Sequence, residues 1–209
     1  MGRARGRKRQ GATSRSVRII AGQWRGRILQ VPSAQTTRPT TDRVKEAMMS
    51  ALFSARGGFD GAWVLDAFAG GGSLGLEALS RGAARVRFCE SDATALRILR
   101  SNIAQLPGAG KLTEVCRGDA FAVACLPSDR PFDLVLLDPP YATPASQVCA
   151  LIVRLDGCGL LTDNALVCYE HAGTDDSTVR TELERIQWTL QKNKRYGDIA
   201  FALARKDAE

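Results

Sequence analysis

Asp138-Pro139-Pro140-Tyr141 brings together an acid, two rigid turn residues and an aromatic ring. It follows Phe132-Asp133-Leu134-Val135-Leu136-Leu137, an apolar run that reads as a buried strand. Neither proline can donate a backbone hydrogen bond, so they end the sheet ladder there. The four residues therefore stand at the carboxyl end of a central strand, the edge where open α/β sheets bind ligands. The carboxylate and the prolyl carbonyls can accept hydrogen bonds from an amino group, and the ring can stack on a flat base. This is the chemistry of a pocket for a planar substrate with an exocyclic NH2. The competing reading is a strand-ending turn with an incidental acid and tyrosine.

A second stretch, Asp66-Ala67-Phe68-Ala69-Gly70-Gly71-Gly72-Ser73-Leu74-Gly75, joins an earlier strand to its helix. Gly70, Gly72 and Gly75 have the G-x-G-x-x-G spacing, which allows a sharp turn and close approach to a ligand. The same spacing also suits a tight turn with no ligand. Asp66 precedes the glycines, where it would repel a pyrophosphate but suit a cationic or amino ligand. Glu90 ends the next strand and can hold two ribose hydroxyls. Asp119 follows a third strand and can accept from an adenine amino group, or simply cap a helix. The candidate set for a phosphate-free cofactor is therefore Asp66, Phe68, Gly70, Gly72, Gly75, Glu90, Ser91, Asp119, Ala120 and Asp138.

These residues need a scaffold that brings strand ends together. The pattern predicts strands over 63–68, 86–90, 112–116, 132–137 and 165–170, separated by helices over 74–81, 92–106, 120–125 and 146–155. A closing pair, 184–192 and 198–203, turns at Tyr196-Gly197. The expectation is an α/β, Rossmann-like, doubly wound and mainly parallel sheet with an antiparallel edge strand. Ahead of it, a helix begins at Asp42 and ends at Gly57-Gly58. Earlier still, 17–20 and 27–31 read as a small N-terminal β-hairpin with Trp24 and Arg25 at its tip. The domain reading is a disordered basic arm over 1–16, a basic hairpin over 17–36 and the main domain over 37–209.

Charge supports that division. Residues 1–30 carry nine Arg or Lys and no acid, whereas the other 179 residues hold 20 basic and 22 acidic side chains. A basic arm on a near-neutral body suits a polyanionic partner, or serves only solubility. Trp24 beside arginines could stack on a base, or pack the hairpin onto the domain. No apolar run approaches the ~18 residues of a membrane helix. The six cysteines include no C-x-x-C pair and read as reduced thiols. His171 is the only histidine, which argues against imidazole metal sites and a Ser-His-Asp triad.

Taken together, the constellation resembles the class I methyltransferases that act on amino groups. Three blocks narrow it: Arg18-Ile19-Ile20-Ala21-Gly22-Gln23-Trp24-Arg25-Gly26-Arg27, Thr37-Arg38-Pro39-Thr40-Thr41-Asp42-Arg43 and Gly75-Leu76-Glu77-Ala78-Leu79-Ser80-Arg81-Gly82. With Lys194-Arg195-Tyr196-Gly197-Asp198, they resemble the RsmD family of bacterial 16S rRNA guanine-N2 methyltransferases. The resemblance implies S-adenosyl-L-methionine as cofactor and Asp138, Pro139, Pro140 and Tyr141 as the catalytic set. It implies RNA contacts from Arg18, Trp24, Arg25, Arg27, Arg38, Thr40 and Arg43. It also implies 16S rRNA within an assembling or assembled 30S subunit as partner, a cytoplasmic monomer, no membrane and no metal. Gly71 stands where the family commonly has serine. Three alternatives remain: methylation of adenine N6 in DNA, a non-catalytic RNA-binding assembly factor, and, ranked last, an NAD-dependent enzyme.

Overall fold

The computed structural model describes residues 16–32 and 42–206. Ser16–Arg18 (β1) and Ile28–Gln30 (β2) pair antiparallel, with Val17 opposite Leu29. Asp42–Arg56 (α1) follows, starting on an acid and ending on a base, as the helix dipole favours. The chain then alternates through Trp63–Asp66 (β3), Ser73–Ser80 (α2), Arg85–Glu90 (β4), Ala93–Ala104 (α3), Thr113–Arg117 (β5), Ala120–Val123 (α4), Phe132–Leu137 (β6), Ala145–Gly157 (α5) and Leu161–Ala172 (β7). Asp176–Arg185 (α6), Trp188–Tyr196 (β8) and Ile199–Lys206 (β9) complete it.

Among the described residues, one sheet runs in the order β5-β4-β3-β6-β7-β9-β8. The strands from β5 to β7 are parallel. β9 runs antiparallel between β7 and the edge strand β8. The winding reverses between β3 and β6, and such a switch point opens a crevice at the carboxyl edge. Period-two alternation divides the core. Val64, Phe88, Leu134, Leu136 and Phe201 face α1, α2 and α3. Leu65, Val135, Leu137, Val167 and Ala202 face α5 and α6. No described helix is long and apolar enough to cross a membrane.

The hairpin shares this core. Ile19, Trp24 and Leu29 pack in the same apolar cluster as Met48, Leu52 and Leu79. Its turn is spliced onto α2. Glu77, fully buried, accepts from the backbone N–H groups of Ile20 at 2.8 Å and Ala21 at 3.0 Å. Lys45 Nζ lies 3.5 Å from the same carboxylate and donates to the Arg18 carbonyl. Arg81 Nε donates to Glu77 Oε1 at 2.8 Å. Ser80 Oγ donates to the Ala21 carbonyl at 2.6 Å and accepts from Trp24 N at 3.0 Å.

Three elements differ most from the sequence reading. α6 was not anticipated, because only Val179 and Leu183 among its ten residues are buried, too sparse a stripe to show a period. Gln187, with φ 59°, turns the chain after α6, so β8 starts at Trp188 and not at residue 184. β7 also extends beyond 165–170, its polar start at Asp163-Asn164 having hidden it.

Candidate active site

Parallel pairing brings strand ends level. Asp66 pairs with Leu136, which places Asp138 two residues beyond the end of β3. At this carboxyl edge a cavity of about 520 Å³ opens, within the range of ligand sites. Its walls come after β3 (Ala67, Phe68), β4 (Cys89, Glu90, Ser91, Asp92), β5 (Gly118 to Phe121) and β6 (Asp138 to Pro140, with Thr143). Pro32, just past β2, adds a wall from the hairpin side.

Glu90 is oriented by two backbone donors, Gly70 N and Asp92 N, each at 2.7 Å. Asp92 caps α3 by accepting from Thr94 N at 3.0 Å and Ala95 N at 2.7 Å. Asp119 caps α4 by accepting from Phe121 N at 3.0 Å. The rings of Phe68 and Phe121 meet edge to face, 5.6 Å apart, and offer an apolar wall to a flat heterocycle. Four carboxylates line the cavity with no Arg or Lys among the lining residues. A phosphate group would meet uncompensated repulsion there. A cationic, phosphate-free ligand with hydroxyl and amino donors matches the walls.

The sequence-predicted residues separate into two groups. Phe68, Glu90, Ser91, Asp119, Ala120, Asp138, Pro139 and Pro140 converge on the cavity. Asp66, Gly70, Gly72 and Gly75 lie behind its wall. Asp66 is 1% exposed and its Oδ2 accepts from Gly75 N at 2.9 Å, so it closes the loop onto α2 instead of facing a ligand. Burial pushes its carboxyl up to about 7, the Gly75 bond opposing and the charges of Asp138 and Glu90 assisting. Gly72 adopts φ +83°, and Gly75 lies where a β-carbon would stand 2.4 Å from Phe88 Cε1. Both glycines therefore serve loop geometry and packing. Sequence reading missed the walls from Pro32, Asp92, Phe121 and Thr143. Asp92 and Phe121 flank predicted residues, but Pro32 carried no local signal.

Asp138 keeps part of its surface open to the cavity, and burial pushes its carboxyl up to about 7. Tyr141 is half-buried, and its hydroxyl has no hydrogen-bond partner among the described residues. Burial raises it to about 12, with further upward push from Glu170, Asp138 and Asp198. Tyr141 is not among the residues that line the cavity. Glu170, 1% exposed near the end of β7, is an acid there that sequence reading assigned no role. Its signal was an acid at the end of an apolar strand.

Arg18, Arg25, Arg27 and Arg43 are exposed. Arg18 pairs with Asp42 at 3.4 Å, and the Arg43 guanidinium lies 5.6 Å from the centre of the Tyr196 ring. Trp24 is a correction: it is 5% exposed within the core cluster, so its ring packs the hairpin down and is not presented to a base. Arg38 and Thr40 lie outside the described residues.

A family model described as conserved hypothetical protein 95 matches residues 17–205. The chain is 38% identical over 189 residues to ribosomal RNA small subunit methyltransferase D of Haemophilus influenzae, covering 90% of this chain and 92% of that protein. The solved structure of yhhF from Escherichia coli is 35% identical, with a TM-score of 0.74 over 93% of this chain and 99% of that one. Magnesium protoporphyrin IX methyltransferase from Synechocystis PCC 6803, solved with bound SAM, is 18% identical with a TM-score of 0.61 over 78% of this chain and 79% of that one. At that identity the likeness concerns the fold alone.

Proposed function

The chain belongs to the RsmD family, matched as conserved hypothetical protein 95, and we propose that it methylates the exocyclic N2 of a guanine in small-subunit rRNA. S-adenosylmethionine is the proposed donor, and the fit rests on the cavity's chemistry. Its four carboxylates and lack of basic side chains suit a sulfonium and an ammonium. In this reading Glu90 holds the ribose hydroxyls, Asp119 accepts from the adenine amino group, and Phe68 with Phe121 forms the apolar wall against the ring. Bound there, the cofactor would supply a methyl group on an electrophilic sulfonium.

The observation that carries the reading is Asp138-Pro139-Pro140-Tyr141, at the β6 end of that cavity. Guanine N2 is a poor nucleophile because its lone pair is delocalised into the ring. Asp138 and the Pro139 carbonyl accept from the two N2 hydrogens and favour a pyramidal nitrogen with its lone pair exposed. Tyr141 stacks on the base. As the nitrogen becomes cationic, the Asp138 carboxylate stabilises the developing charge and is the nearest acceptor for the released proton. Positioning supplies much of the remaining acceleration. The base must be unstacked to enter, so an unpaired guanine is the expected target.

Labelled methyl transfer from S-adenosylmethionine to 30S subunits, naked 16S rRNA and DNA, with mass spectrometry of the modified base, tests this. N2-methylguanine in rRNA is the expected product. N6-methyladenine in DNA would replace the substrate. Cofactor binding with no transfer to any of the three would favour a binding role.

A further inference from the structure

One side chain that neither motif contains ties the hairpin directly to the glycine loop. Asn102, on α3, is 1% exposed. Its Oδ1 accepts from Gln30 N at 3.0 Å, and its Nδ2 donates to Gln30 O and to Gly71 O, each at 2.8 Å. Oδ1 accepts a second time, from Gln105 Nε2 at 3.3 Å, so this orientation of the amide satisfies two donors and two acceptors and the side chain is fixed by its partners. Gln30 is the last residue of β2, and Pro32 two residues on lines the cavity. Gly71 is the middle residue of the glycine loop, whose neighbour Gly70 orients Glu90. The fit is close as well as bonded. A β-carbon on Gly71 would stand 2.8 Å from Gln30 O and 3.5 Å from Pro32 Cδ. Glycine at this position lets the end of β2 lie directly on the loop.

We propose that Asn102 is a positioning residue that couples the cofactor cavity to the N-terminal hairpin, so that a ligand in the cavity tightens the hairpin. The inference rests on the cofactor reading of the cavity. A ligand held by Glu90 and packed against Pro32 restrains both sides of the Asn102 junction. The residual motion of the hairpin then falls, and its arginines are presented on a fixed frame. Such linkage is reciprocal: docking of the hairpin also completes the cavity.

Amide hydrogen exchange tests it with the full chain and S-adenosylhomocysteine. In wild type, saturating ligand should slow exchange across Ile19–Gln30 by on the order of fivefold, the low end of ordinary coupling between sites. In Asn102→Leu and Asn102→Asp the ligand should still bind but no longer slow the hairpin. The aspartate keeps the acceptor for Gln30 N while presenting oxygen to two carbonyls, and it serves alone if the leucine variant does not fold. A merely structural Asn102 would raise exchange equally with and without ligand and leave the ligand-induced slowing intact. That result, or a wild-type hairpin indifferent to bound ligand, overturns the proposal. Calorimetry on the same samples separates the two readings: no ligand binding by wild type would instead sink the cofactor assignment.

Discussion

Replacing Asp138 with asparagine keeps size and shape and removes the charge. The magnitude follows from what the carboxylate faces. A hydrogen bond to a charged group contributes about 1.5–3 kcal/mol and a neutral one about 0.5–1.5, so the ground-state difference is worth roughly tenfold. The larger loss comes at the transition state, where positive charge grows on the attacking nitrogen. Removing one preorganised electrostatic partner of that kind costs about 10²–10³ in rate. Burial holds the Asp138 carboxyl up to about 7, so ionisation itself gates the reaction. The active form is the carboxylate. The rate should rise with pH and level off above about 7, falling tenfold per unit at low pH. A cationic ligand beside the carboxylate favours ionisation, so kcat should inflect lower than kcat/KM. The assay is single-turnover and steady-state methyl transfer from pH 5 to 8, with calorimetry of S-adenosylhomocysteine. Asp138→Asn should retain ligand binding, lose at least about 10²-fold in rate and lose the inflection. A variant within threefold of wild type, or a flat wild-type profile, refutes the role.

Three further outcomes are expected. Asp66 also has its carboxyl raised to about 7, so the folded state binds its proton more tightly than the unfolded chain and stability falls as pH rises from about 4 to 7. Asp66→Asn can still accept from Gly75 N. In urea denaturation it should gain on the order of 2 kcal/mol at pH 8 and nothing below pH 4; equal effects at both would exclude the charge as cause. Glu77→Ala leaves buried Lys45 without its counter-ion and the Ile20 and Ala21 N–H groups without their acceptor, and should cost about 3–5 kcal/mol; a loss under 1 kcal/mol would mean the hairpin latch is replaceable. Gly75→Ala forces a methyl into Phe88 and should cost about 1–3 kcal/mol in stability, seen as a lower thermal midpoint. An unchanged midpoint would return Gly75 to a ligand-facing role.

The alternation of apolar runs with glycine and proline stops was enough to predict a doubly wound sheet, because period and turn chemistry are local properties. It also placed Asp138, Glu90 and Asp119 at strand ends, and in-register parallel strands then oblige those ends to meet. What the sequence could not show was direction and partnership. Asp66 and Asp138 both end or follow a strand, yet one turns inward to Gly75 and the other opens to the cavity. The glycine spacing suits a ligand loop and a packing turn alike, and only Phe88 and Leu99 beneath it decide for packing at Gly75 and Gly72. Trp24 beside arginines looked equally fit to stack or to pack, until the core beneath it was known. Glu77 joins the hairpin from more than fifty residues away, and Asn102 from more than seventy. Neither has a local pattern, since a hydrogen bond between distant segments leaves no period in either one. Tertiary structure alone decided that the basic hairpin is bolted to the loop beside the site.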